Sequence, residues 1–285
     1  MTTLLEPAFA KVNLTLDVLG RRPDGYHDLR SVFQTVSVRD DLALDIGTGK
    51  PWRLQCSKEG IPCDERNLAW KAAKLFCELA KVEPEGLEIR ITKRIPSEAG
   101  LGGGSADAAA VLRALNRHYG SPFSVGALAE IGAQVGSDVP FCVLGGTAMV
   151  EGRGERLRPL PPIPECFFVI CKPNFSSSTP ELYRQLDAQP IACRPDHRAM
   201  EAAILAGDLA AITRSVRNVF DDVVSAAHPE VGGIKSVFRT YGGMCAELTG
   251  SGSAIFTIVP SFEYAAVICD MLRGQYSNLF IGKSV

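Results

Sequence analysis

The chain has 285 residues, 46% hydrophobic and 22% charged, which is ordinary globular composition and length enough for two modest domains. Thirty basic residues face 32 acidic ones, and the net charge of −2 leaves no global basic field to recruit nucleic acid or anionic lipid. Nine scattered cysteines contain no Cys-x-x-Cys, so neither a zinc site nor a small disulfide framework is supported. No basic-plus-apolar leader opens the chain and no apolar run nears the ~20 residues of a membrane span, so a cytoplasmic setting is expected, as a monomer or weak homodimer.

Ala8 to Val18 alternates, with Ala10, Val12, Leu14, Leu16 and Val18 on one face and Lys11, Asn13, Thr15 and Asp17 on the other. The spacing predicts a strand whose polar face is solvated. Pro23-Asp24-Gly25 is turn chemistry that delivers Tyr26 and His27 side by side. Residues 31–46 read as two short strands around Arg39-Asp40-Asp41, an antiparallel hairpin. Apolar residues at 68, 72, 75, 76 and 79 predict a helix capped by Asn67.

Leu87 to Ile91 alternates as a strand, and Ala108, Val111, Leu112 and Leu115 recur at helical spacing. Between them runs Lys93-Arg94-Ile95-Pro96-Ser97-Glu98-Ala99-Gly100-Leu101-Gly102-Gly103-Gly104-Ser105-Ala106. Glycines permit positive φ and leave no Cβ to block a ligand, and the helix start presents unpaired N–H groups at its positive end. Such a loop suits phosphate. No Gly-Lys-Ser or Gly-Lys-Thr closes it, so it is not the Walker pattern. A second amphipathic helix follows from a Ser124 cap to Gln134, and then Gly136-Ser137-Asp138-Val139-Pro140-Phe141. Asp138 there reads equally as a helix cap or, with Lys11 and the glycine loop, as part of a phosphoryl-transfer site.

The phosphate loop, with Ala10-Lys11-Val12-Asn13-Leu14 and the Asp138 segment, resembles the galactokinase, homoserine kinase, mevalonate kinase and phosphomevalonate kinase superfamily, the GHMP kinases. The resemblance implies an α+β, two-domain GHMP kinase architecture: residues 1–159 like ribosomal protein S5 domain 2, and 160–285 a ferredoxin-like domain. It implies ATP with Mg²⁺. Asp138 would be the base and Lys11 its charged partner, with Asn67, Lys93 and the stretch from Pro96 to Ala106 around the nucleotide. Arg22-Pro23-Asp24-Gly25-Tyr26-His27 resembles a branch that phosphorylates the 2-hydroxyl of 4-diphosphocytidyl-2-C-methyl-D-erythritol, on the non-mevalonate route to isoprenoid precursors. Asn13 would then contact the erythritol part, Tyr26 and His27 the cytosine. Glu98 departs from the small residues expected in that loop. No metal ligand stands out, Ser105 being the candidate. The alternatives are a GHMP kinase for another small alcohol, homoserine or mevalonate, and a catalytically silent nucleotide-binding sensor.

Residues 145–155 predict strand, turn and strand, with Arg153 a surface arginine or a phosphate contact. Four prolines in Pro159-Leu160-Pro161-Pro162-Ile163-Pro164 suggest a stiff connector and a domain boundary. Cys166 to Cys171 is a buried-strand run, followed by a helix with Thr179 as cap and Pro180 at its first position. By the family likeness Thr179 and Tyr183 join the substrate site, Tyr183 on the face of cytosine opposite Tyr26; plain packing is the other reading of Tyr183. Helical patterns follow near 197–206, 208–217 and 229–241. Residues 244–259 read as strand, Gly-Ser-Gly-Ser turn and strand, either an ordinary hairpin or the superfamily's third motif lying against the phosphate loop. A helix over 262–272 and a strand over 277–281 complete the chain.

Overall fold

The computed structural model describes all 285 residues. Two 20-residue strands, β1 (Thr2–Arg21) and β2 (His27–Ile46), open the chain. Their turn is closed by Arg22 N donating to Tyr26 O at 2.7 Å, with Gly25 at φ 85°. Then come β3 (Arg53–Cys56), α1 (Leu68–Ala80), β4 (Leu87–Thr92), α2 (Gly103–His118), α3 (Val125–Val135) and α4 (Val139–Leu144). A strand pair β5 (Thr147–Gly152) and β6 (Arg156–Leu160) leads to β7 (Phe167–Cys171). Helices α5 (Thr179–Asp187), α6 (His197–Ala206) and α7 (Leu209–Arg214) precede a two-residue strand, β8 (Arg217–Asn218). The remainder is α8 (Phe220–Ala227), α9 (Glu230–Thr240), β9 (Glu247–Leu248), β10 (Ile255–Val259), α10 (Phe262–Leu272) and β11 (Leu279–Lys283).

Several helix ends follow their sequence signals. Asn67 Oδ1 accepts Ala69 N at 2.9 Å, and Ser124 Oγ accepts Ala127 N at 3.2 Å, caps of about 1 kcal/mol each. Other expectations are corrected. β2 is unbroken through Arg39-Asp40-Asp41, because Asp40 does not turn the chain: its fully buried carboxylate accepts the N–H groups of Arg94 and Ile95 instead. The polar face of β1 is not solvated, since Lys11, Asn13, Thr15 and Asp17 are at most 4% exposed and each meets a polar or aromatic partner. Ser178, not Thr179, holds the cap position of α5, one residue earlier than expected and without a side-chain bond. The helix expected over 208–217 stops at Arg214, and Arg217-Asn218 instead pairs in parallel with Thr15-Leu16. Pro159 and Leu160 belong to strand β6, so only the last part of the proline-rich stretch is irregular.

The chain forms two compact units, each assembled from separate stretches. The first comprises Met1–Ala10, Arg39–Ile95 and Gly102–Gly145. In it β4 pairs antiparallel with β2, from Asp41↔Thr92 to Ile46↔Leu87, and parallel with β3. The alanines of α1 (Ala69, Ala72, Ala73) and of α2 (Ala106, Ala108, Ala109, Ala110) are buried, which lets these two helices pack closely.

The second unit comprises Lys11–Val38, Pro96–Leu101 and Gly146–Val285, so residue 160 lies inside it. The early part of β2 pairs with β5, and β5 with β6. A four-stranded antiparallel sheet runs β11-β7-β10-β9. Numbered within that sheet the order is 4-1-3-2, with helices inserted as β-α-β-β-α-β, the ferredoxin-like arrangement. Phe220, Phe238, Leu248 and Ile268 lie in its core. No helix is long and apolar enough to cross a membrane.

Candidate active site

The phosphate loop enters from β4 and ends in α2. Gly102, at φ 70°, precedes the helix and offers no side-chain cap. The first helical bond is Ala106 N to Gly102 O at 2.8 Å, so the amides of Gly103, Gly104 and Ser105 point along the axis without an intrahelical acceptor. Together with the helix dipole they form an anion-binding array. Ser97 adds a buried hydroxyl with no protein partner. Glu98 is exposed, as an acid in a phosphate loop should be, and its φ of 53° is a glycine-like conformation. Pro96, Ala99 and Leu101 are buried and anchor the loop.

Within the second unit, the loop lies against the turn at Thr249-Gly250. A Cβ on Gly100 would sit 2.0 Å from Thr249 O, and one on Gly250 2.9 Å from the Gly100 α-carbon. The two backbones therefore touch, and Ala254 N donates to Ala99 O at 3.2 Å. This supports the third-motif reading of 244–259 over an ordinary hairpin.

Asn13 ties the same turn to β1. Its Oδ1 accepts Lys11 Nζ at 2.8 Å, Gly250 N at 2.9 Å and Thr249 Oγ1 at 3.2 Å, while Nδ2 donates to Ser31 Oγ at 2.9 Å. Lys11 Nζ also lies 4.6 Å from the Phe33 ring centroid, and its backbone N donates to Leu101 O at 3.0 Å. Asn218, just beyond the helical pattern expected over 208–217, donates through Nδ2 to Leu248 O and Gly250 O at 3.0 and 2.8 Å. The turn is thus held from both edges.

Asp138 stands at the cap position of α4 with helical backbone angles and makes no capping bond. The helix-cap reading of Asp138 therefore lacks its side-chain hydrogen bond.

The Lys93 side chain is 4% exposed and sits between two carboxylates, 2.6 Å from Asp40 and 2.6 Å from Asp107. Burial works against its ammonium, and those two carboxylates outweigh it, holding the pKa above the ordinary lysine value. Burial likewise pushes the Asp107 carboxyl well above the usual range. A charged residue inside the apolar run Ala106-Asp107-Ala108-Ala109-Ala110 was the available signal, because such a residue needs a partner. Asn67 is engaged as a cap, and its Nδ2 donates to Pro62 O at 2.7 Å.

The expected acceptor-binding residues gather in the second unit. His27 stacks on Tyr183 with centroids 4.5 Å apart, and its Nε2 lies 3.0 Å from both oxygens of Asp187. Tyr26 is 56% exposed, with the Arg153 guanidinium 4.6 Å from its ring centroid, so Arg153 covers an aromatic face here. Thr179 Oγ1 lies 2.8 Å from Ser251 Oγ. Asp187 was not anticipated.

Two profiles match the chain: the GHMP kinases N terminal domain over residues 67–146 and the GHMP kinases C terminal domain over 200–278. A relative from Geobacillus sp. (strain WCH70), named 4-diphosphocytidyl-2-C-methyl-D-erythritol kinase, is 41% identical over 277 residues, covering 97% of this chain and 95% of its own.

The chain belongs to the GHMP kinase family.

A similarly named relative from Clostridium tetani is 39% identical over 98% of this chain and 99% of its own. Among solved structures, a 4-(cytidine 5'-diphospho)-2C-methyl-D-erythritol kinase aligns with a TM-score of 0.83 at 32% identity, over 99% of both chains. Homoserine kinase from Cytophaga hutchinsonii aligns over 99% of this chain and 94% of its own, with a TM-score of 0.76 at 21% identity, and shares the GHMP kinase fold.

The unpaired amides at the start of α2 have the chemistry to donate to phosphate oxygens. No group of three His, Cys, Asp or Glu side chains is placed to hold a metal ion. Ser105 is the one hydroxyl-bearing residue of α2.

Proposed function

We propose that the chain is an ATP-dependent kinase that phosphorylates the 2-hydroxyl of 4-diphosphocytidyl-2-C-methyl-D-erythritol, in the cytoplasm. The phosphoryl-transfer part rests on the amide array at the start of α2, reached through Gly102. The acceptor is inferred from the relatives named 4-diphosphocytidyl-2-C-methyl-D-erythritol kinase that match nearly the whole chain, and from the stacked His27–Tyr183 pair, with Tyr26 next to His27 in the chain.

In this reading Asp138 takes the proton of the acceptor hydroxyl as its oxygen bonds to the γ-phosphorus of ATP, the bond from that phosphorus to the β,γ-bridging oxygen breaks and ADP leaves. The Lys11 ammonium stabilises the charge that develops at the acceptor oxygen. The amides of Gly103, Gly104 and Ser105 hold the phosphates. Ser105 would be the protein's ligand to a Mg²⁺ ion bound with the nucleotide, which would supply neutralisation of phosphate charge. Asn13 orients Lys11 and the erythritol end. Tyr26, His27 and Tyr183 take the cytosine, whose flat face suits stacking and whose edge suits imidazole hydrogen bonding, and Thr179 supports that end.

The deciding experiment follows ADP release by the purified protein with ATP, Mg²⁺ and, in turn, the cytidyl alcohol, homoserine and mevalonate. Turnover confined to the first is expected. Preference for either other alcohol overturns the acceptor, and nucleotide binding without turnover of any overturns the kinase reading in favour of a sensor.

A further inference from the structure

We infer that Asp40, Lys93 and Asp107 are positioning residues for the phosphate loop, and that Lys93 acts on nucleotide binding through the loop rather than by touching the nucleotide. The inference rests on the phosphate-binding role proposed for that loop and adds residues to it.

Asp40 ends the stretch of β2 that precedes its pairing with β4, where Asp41 faces Thr92. One of its oxygens accepts the successive amides of Arg94 and Ile95, at 2.5 and 2.8 Å, fixing the backbone just before Pro96. The other accepts Lys93 Nζ at 2.6 Å. The same ammonium reaches Asp107, the fifth residue of α2, at 2.6 Å. One buried cation thus links the shoulder that enters the loop to the helix that leaves it.

The contact at the helix start is equally close. A Cβ on Gly103, the first residue of α2, would lie 2.9 Å from Ile95 Cγ2 and 3.1 Å from Lys93 Nζ. The ammonium therefore packs directly beneath the first of the three unpaired amides. With its side chain 4% exposed and two carboxylates already in contact, Lys93 presents little surface for a nucleotide.

Chemistry favours a clamp as well. Three charged groups taken out of water are costly, and a charge-assisted triad of this kind is held only where its geometry is good. Removing one member strands the others. Here such a loss would release the spacing between the two shoulders, on which the aim of the Gly103, Gly104 and Ser105 amides depends.

The test compares Asp107→Asn, Asp40→Asn and Lys93→Met with the wild type by ADP titration, by KM for ATP and for the acceptor, and by hydrogen exchange. Expected is a rise of about tenfold or more in ADP dissociation constant and in KM for ATP in both Asp variants, with the acceptor KM within about twofold. Peptides covering 96–110 should exchange faster, while those of β7 remain protected. Loss of ADP affinity in Lys93→Met alone, with both Asp variants intact, would overturn the proposal in favour of direct contact. An equal rise in both KM values would overturn it in favour of general destabilisation. Should Asp40→Asn fail to fold, Asp107→Asn decides, since it keeps the side-chain volume and one acceptor oxygen. ADP titration stands apart from the choice of acceptor: a wild type that binds ADP but ignores the cytidyl alcohol refutes the acceptor and leaves this inference to its own result.

Discussion

The side-chain oxygen of Asn13 accepts the backbone N–H of Gly250 at 2.9 Å, joining β1 to a turn 237 residues further along the chain. The same oxygen takes Lys11 Nζ and Thr249 Oγ1. Asn13→Ala therefore takes the acceptor from the buried Gly250 amide, a loss of about 1–3 kcal/mol in urea unfolding. A midpoint equal to wild type would show that water replaces the asparagine at no cost.

Asp138 makes no side-chain capping bond to α4 and is the base in the proposed reaction. Asp138→Asn is expected to lower kcat by about 10²–10⁴ with ADP affinity retained. Near wild-type turnover would reassign the base.

Tyr26 is exposed on one side and covered by Arg153. Tyr26→Ala should raise KM for the cytidyl substrate by about tenfold, the worth of one stacking face, and leave KM for ATP within about twofold. Equal changes in both would remove Tyr26 from cytosine recognition.

Two loop positions with positive φ should respond in opposite directions. Gly100→Ala places a Cβ 2.0 Å from Thr249 O, a backbone atom that cannot step aside, and should cost about 2–4 kcal/mol in a thermal melt. Glu98 sits at φ 53° with its side chain exposed, so Glu98→Gly should stabilise by about 1 kcal/mol and preserve turnover.

His197 is buried, with Nδ1 3.1 Å from Thr15 Oγ1 and Nε2 without a protein partner. Burial, aided by the Arg30 charge, lowers its pKa from 6.5 to about 4, against the pull of Asp196 and Glu151. The folded state then binds fewer protons than the unfolded one between those values. The histidine's contribution is full above pH ~6.5 and is lost as pH falls towards 4, to the extent of about 3 kcal/mol. His197→Gln should flatten that part of the stability profile, whatever constant offset it adds. An unchanged slope would show that the imidazole is charged when folded.

Much of this was legible because local signals and tertiary needs agree. The Asn67 and Ser124 caps, the period of α2 and the run of β7 each state their element outright. Disagreement arises where a polar residue has a distant partner. Asp40 beside Asp41 looks like a turn until Arg94 and Ile95 supply the amides it accepts. The polar side of β1 reads as wet because nothing local announces Ser31, Thr249 or His197 as partners. Helix α4 has only six residues, short of the two turns from which a period is read. At the site, residue types were readable as motifs, but Asp107 for Lys93 and Asp187 for His27 are pairings only folding reveals.

The second compact unit draws on 11–38, 96–101 and 146–285, so no single cut in the gene yields it whole. A fragment starting at residue 160 would carry the ferredoxin-like strands yet lack the β1 segment that supplies Asn13, leaving the Gly250 amide without that acceptor. Expression of either portion alone should give insoluble product, and tags or fusions belong at the two chain ends.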